Sequence, residues 1–159
     1  LLASLSGCGL RPLYESGGKG AVAQSLRSVE VAPISGKAGW LMRNALNDRL
    51  SNGSSGAAQY RLEIELDDQI SGFGVRRDDA VTRERRTLRA RYRLVENATS
   101  SVLLDTTAGS DAGSDVVSSE YATVAAENSA LERLSQIVAD QIVTRVALAL
   151  DGQAAPTAP

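Results

Sequence analysis

Two stretches of this chain alternate polar with apolar residues, and that alternation constrains the fold more than any other feature. In residues 59–67, Tyr60, Leu62, Ile64 and Leu66 share one parity, while Arg61, Glu63, Glu65 and Asp67 share the other. In residues 81–95, Leu88, Ala90, Tyr92 and Leu94 alternate with Arg89, Arg91 and Arg93, and Arg83 and Arg85 extend the polar row. Successive side chains of a strand point to opposite faces. Both stretches therefore predict strands with one face on a core and the other on water or a partner, as in an antiparallel sheet.

The neighbouring segments supply a layer to cover the apolar face. Between residues 38 and 50, Leu41, Met42, Ala45, Leu46 and Leu50 recur at spacings of three and four. Arg43, Asn44, Asn47 and Asp48 fall on the other side, which predicts an amphipathic helix stopped by the Ser- and Gly-rich run 51–56. From about residue 121 to 150, Val124, Leu131, Leu134, Val138, Ile142, Val146 and Ala149 mark the stripe of one long helix. Residues 28–34 read as a short first strand limited by Pro33. Residues 70–79 read as a long connection, and 101–108 as a shorter fourth strand continued irregularly over 109–119. The expected order is strand, helix, three strands, helix. That is a single two-layer α+β domain over 28–150, with two helices on one face of a mainly antiparallel four-stranded sheet.

Composition removes most catalytic designs. The chain has 159 residues, enough for one domain, with no His and a single Cys. A Ser-His-Asp triad, a Cys-His pair, an imidazole base and the usual zinc-ligand sets are therefore impossible. No metal and no cofactor is expected, and neither is an enzyme. The formal net charge of -2, from 17 basic and 19 acidic residues, creates no global field of one sign. No stretch reaches the roughly 18 to 20 apolar residues of a membrane-crossing helix.

Residues 1–8 run through leucines and small residues into Cys8. We read 1–7 as the remnant of a clipped signal peptide, because small side chains precede a cleavage site. Leu5-Ser6-Gly7-Cys8 has the form of a bacterial lipobox, which makes Cys8 the expected lipid anchor. Two or more acyl chains, at about 0.8 kcal/mol per buried methylene, hold a protein at a membrane. Residues 8–27, with Gly17-Gly18-Lys19-Gly20 at the centre, read as a lipidated flexible tether, and 151–159 as a solvated tail. The Gly cluster lacks the Lys-Ser/Thr ending and preceding strand of a phosphate loop.

Cys8 is followed by Gly9-Leu10-Arg11-Pro12-Leu13-Tyr14. A lipobox running directly into this motif resembles the start of the LPS-assembly lipoprotein family, LptE, with Leu10 where many members carry Phe. The resemblance implies an outer-membrane lipoprotein on the periplasmic side. It also implies the β-barrel LptD as the partner whose lumen it plugs, and lipopolysaccharide as cargo. A rival reading is an auxiliary lipoprotein of a lipid-transport ABC system, which shares the anchor, the tether and a small α+β domain.

Eight arginines, Arg76, Arg77, Arg83, Arg85, Arg86, Arg89, Arg91 and Arg93, crowd one stretch of the chain. Two uses compete for them. Guanidinium groups about 6.6 Å apart along a strand suit bidentate contacts with phosphates or sugar acids. Alternatively, an antiparallel neighbour sets Glu63, Glu65 and Asp67 opposite them. That acidic row is short, so we expect Arg89, Arg91 and Arg93 to be paired. Arg76, Arg77, Arg83, Arg85 and Arg86 are the candidate lipopolysaccharide ligands. Aromatic content of 4% is too low for a nucleic-acid stacking platform. Trp40, Met42 and Phe73 are expected in the core.

Overall fold

The computed structural model describes residues 21–50, 56–75, 81–115 and 119–154. Its elements run α1 (Ala21–Arg27), β1 (Val29–Val31), α2 (Gly36–Leu50), β2 (Tyr60–Val75), β3 (Val81–Glu96), β4 (Val102–Asp115) and α3 (Glu120–Ala154). The four strands form one sheet in the order β1-β2-β3-β4. β1 pairs parallel with β2, and the other two pairings are antiparallel. The expected two-layer α+β architecture is observed, with one further short helix.

The β2–β3 register runs without a break from Tyr60↔Glu96 to Phe73↔Arg83, and it lines up the two apolar rows. Leu62, Leu88, Ala90, Tyr92 and Leu94 are fully buried beneath Met42 and Leu46 of α2 and Leu134, Val138, Ile142 and Val146 of α3. Each such aliphatic side chain contributes about 1.5–3 kcal/mol by leaving water. α2 lies over the β1–β2 side, α3 over β3 and β4, and the two helices pack on each other. They run parallel, since Lys37 donates to Asn128 and Arg49 to Asp140, the same 91-residue offset twice. Ser135, buried in α3, donates to the Leu131 carbonyl at 2.8 Å. The Tyr92 hydroxyl is buried with no partner among the described residues, and burial pushes its pKa up.

Several elements differ from the sequence expectation. Residues 21–27, expected as the end of a tether, form α1, because Val22 and Leu26 stand one turn apart and both meet the core. β2 continues to Val75 through residues expected as a connection, and β4 is one strand to Asp115. Ser and Gly weaken strand propensity there, yet the ladder to β3 decides the conformation. α3 runs past Gly152 to Ala154. Met42 is buried as expected, whereas Trp40 is 63% and Phe73 40% exposed. Trp40 is followed three and four residues on by Arg43 and Asn44, which puts it on the polar side of α2.

Two contacts hold the layers in register. Gln141 of α3 reaches the outer edge of β4, where its amide accepts from the Gly109 N–H at 3.3 Å and donates to the Gly109 carbonyl at 3.4 Å. At the other side α2 closes onto the chain leaving β1. A Cβ on Gly39 would stand 2.6 Å from the Ile34 carbonyl oxygen and 2.7 Å from its carbon. Those obstacles are backbone, so a side-chain rotation cannot relieve them. Gly39→Ala gains about 1 kcal/mol of helix propensity, but overpacking costs about 1–3 kcal/mol. We expect a net loss of stability, read as a lower midpoint in urea. A variant as stable as the parent would mean α2 can lift off Ile34 freely.

Candidate functional site

The face of the sheet away from the helices is built from three charged rows. β3, in the middle, carries Arg83, Arg85, Arg89, Arg91 and Arg93 outward. β2 carries Glu63, Glu65 and Asp67 on one side, and β4 carries Asp105, Asp111 and Asp115 on the other. The expected register is present: Glu63↔Arg93, Glu65↔Arg91 and Asp67↔Arg89 are cross-strand partners.

The ion pairs follow that register only in part. Arg93 reaches Glu63 at 2.8 Å, and Arg61 holds the same carboxylate at 2.8 Å. The Arg61 hydrogen bond, with help from the charge of Arg93, keeps the Glu63 carboxyl below the usual carboxylate range. Arg91 turns away from Glu65 to Asp105 on β4, at 3.2 Å. That hydrogen bond lowers the Asp105 pKa and raises that of Arg91. Arg89 has no carboxylate within ion-pair distance among the described residues. It lies over Gly109, where a Cβ would stand 2.6 Å from its Cδ, so the bare glycine makes room for the arginine.

The ligand candidates are divided by the structure. Arg83 pairs with Asp115 at 3.1 Å, and Arg85 approaches Asp111 at 3.8 Å while its guanidinium sits 5.4 Å above the Phe73 ring. All of these groups are largely exposed, so each pair contributes about 0–1 kcal/mol and opens readily. Arg86 is different. It has the parity of Leu88 and so faces the helices, with its side chain 13% exposed. It grips Asp68 through both carboxylate oxygens and donates to the Glu127 carbonyl of α3 at 3.0 Å. The Asp68 hydrogen bond raises its pKa further. The expectation that Arg83, Arg85 and Arg86 lack partners is therefore corrected: β4 supplies the acids that β2 lacks, and Asp68 takes Arg86 inward. Cys8, Arg76 and Arg77 lie outside the described residues.

What remains at the far end of the β2–β3 hairpin is a mixed rim. Exposed Phe73 stands beside Arg83 and Arg85, and a cavity of about 240 Å³ opens between Phe73, Arg83 and Asp115. Cations held loosely by exposed aspartates next to an apolar ring suit an anionic amphiphile. No group of residues suited to holding a metal ion occurs among the described residues.

The fold has close relatives among solved structures. A candidate lipoprotein from Caulobacter crescentus is 25% identical with a TM-score of 0.70, over 84% of this chain and 98% of its own. The rare lipoprotein B of Shewanella oneidensis, 10% identical, gives a TM-score of 0.61 over 80% and 97% of the two chains. An uncharacterized lipoprotein B of Nitrosomonas europaea, 14% identical, gives 0.57 over 75% and 81%. These proteins define a class of small α+β domains described as lipoproteins, and this chain has their fold. Among curated proteins none is similar enough in sequence to count as a match. The LptE profile, described as lipopolysaccharide-assembly, matches residues 26–146, most of the chain, and the protein belongs to that family.

The inner and outer pairs should respond differently to loss of a carboxylate. Asp68→Asn leaves a mostly buried guanidinium without its counter-charge and should cost about 2–3 kcal/mol. Asp105→Asn removes an exposed, solvent-screened pair and should leave stability nearly unchanged. Denaturant titration of both variants checks this; equal losses would mean that Arg86 is not structurally committed.

Proposed function

We propose that this protein is a non-enzymatic lipoprotein of lipopolysaccharide assembly, anchored through Cys8 on the periplasmic side of the outer membrane. It seats within the LptD β-barrel and meets lipopolysaccharide at the hairpin end of its sheet. The observation that carries this reading is the family match over residues 26–146, which spans all four strands and most of α3. The absence of His supports a role without a chemical step. Arg83 and Arg85, together with Arg76 and Arg77 of the segment that precedes β3, are the proposed phosphate contacts. Arg86 is left out because Asp68 and Glu127 already use its donors. Phosphates would displace Asp111 and Asp115 from the arginines, a small loss at exposed pairs, while acyl chains would lie against Phe73.

The anchor is tested by Cys8→Ser. That variant should lose acylation by mass spectrometry and move from the membrane to the soluble fraction in cells lacking the barrel partner. Retention on membranes there would remove the lipobox reading. Detergent co-purification of the parent should bring down one large outer-membrane barrel, and recovery of inner-membrane transporter subunits instead would favour the ABC-system reading.

The cargo surface is tested by Arg83→Ala with Arg85→Ala, which touches only exposed pairs and should leave melting nearly unchanged. Lipopolysaccharide binding should weaken about tenfold or more, with a smaller dependence on salt, since each charged contact contributes about 1 kcal/mol. Unchanged affinity and salt dependence would eliminate this end of the sheet as the binding surface.

A further inference from the structure

β1 covers only the beginning of β2. Its pairing runs from Val29↔Tyr60 to Val31↔Leu62 and ends with the Ala32 N–H donating to the Leu62 carbonyl at 2.9 Å. Pro33 has no N–H to continue the ladder, and the chain turns away into α2 at Gly36, whose φ is +79°. β2 nevertheless continues to Val75. Backbone groups along a strand face alternate sides, so those of Ile64, Leu66, Asp68 and Ile70 follow Leu62 in pointing to the side of β1. No strand among the described residues pairs with them. Where β1 leaves the sheet, a notch of about 340 Å³ opens between Ala32, Pro33, Ile64 and Glu65, in line with the path a longer β1 would take.

The side chains along this edge carry a definite pattern. On the outer face Arg91, Arg83 and Arg85 all lean towards β4. Glu65 and Asp67 thus hold no ion pair among the described residues, and Asp67 accepts only from Gln69. On the inner face Leu66 is half-buried and Ile70 is 44% exposed. A second copy pairing antiparallel through residues 63–67 would set acid against acid, which opposes it. A strand with cations outward and apolar groups inward meets both rows.

We propose that the open edge of β2 from Ile64 to Ile70 is a strand-addition site for an extended segment of a partner protein whose side chains alternate basic and apolar. Main-chain hydrogen bonds to the edge provide the affinity, and Glu65 and Asp67 select the basic alternation. The site lies on a different edge from the arginine rim and does not depend on the cargo reading.

The probe is a short, labelled, acetylated peptide alternating valine and lysine, titrated by fluorescence anisotropy against the full chain in a non-ionic detergent. Binding is expected, and a valine–glutamate peptide should fail. N-methylating either all valines or all lysines should abolish binding in one case and spare it in the other, because only alternate N–H groups face β2. Glu65→Gln with Asp67→Asn, checked for unchanged melting, should weaken binding roughly tenfold, as two cross-strand ion pairs of about 0.7 kcal/mol each would imply. No binding of the valine–lysine peptide, indifference to both methylation patterns, or full affinity in the double variant overturns the proposal. So does a sedimenting dimer of this chain that competes with the peptide.

Discussion

Everything in this molecule depends on the antiparallel register of β2 against β3. Side chains alternate with period two, so a slip of one residue would carry Leu88, Ala90, Tyr92 and Leu94 into water and drive the arginines of β3 beneath α2 and α3. A shift by any odd number of residues buries charge and exposes the apolar row. The helices add area to this choice but do not make it, because their apolar stripes fit any apolar face of the right width.

The same register governs the electrostatics. A run of arginines that looks strongly basic in sequence becomes the middle row of a three-row lattice, with carboxylates on both neighbouring strands. The field over the centre of the sheet is largely cancelled at close range. Among the described residues of that face, charge without an ion-pair partner survives at Arg89 over Gly109, and at Glu65 and Asp67 along β2. Beside the apolar rim, Arg83 and Arg85 are held by exposed aspartates, and Arg85 also by the Phe73 ring. A protein close to neutral overall thus keeps separate basic and acidic contact regions on one sheet.

The clean alternation of residues 59–67 and 81–95 specified both central strands and their mutual facing, and spacings of three and four specified α2 and α3. The acids of β4 escaped notice because Asp105, Asp111 and Asp115 sit among Gly, Ser and Thr, where strand propensity is weak and pairing with β3 imposes the conformation. Their shared odd numbering was the available signal. Arg86 counts among the candidate ligands because it lies in the arginine run near the connection, whereas its parity with Leu88 puts it inside with Asp68. Residue type alone predicts a buried Trp40, whereas its place on the helix sets it among polar residues.

The Gln141 clamp on Gly109 has a consequence for how copies of this protein can associate. Open filaments grow when a molecule offers two different, complementary surfaces, so that each copy leaves one unsatisfied for the next. A sheet with two bare margins would meet that condition. Here the side-chain amide of α3 occupies the N–H and carbonyl in the middle of β4 and imitates a neighbouring strand without being one. Growth from that margin requires displacing the amide and disturbing α3 with it. The clamp therefore opposes, at the middle of that margin, any association through the sheet that would propagate into a fibre.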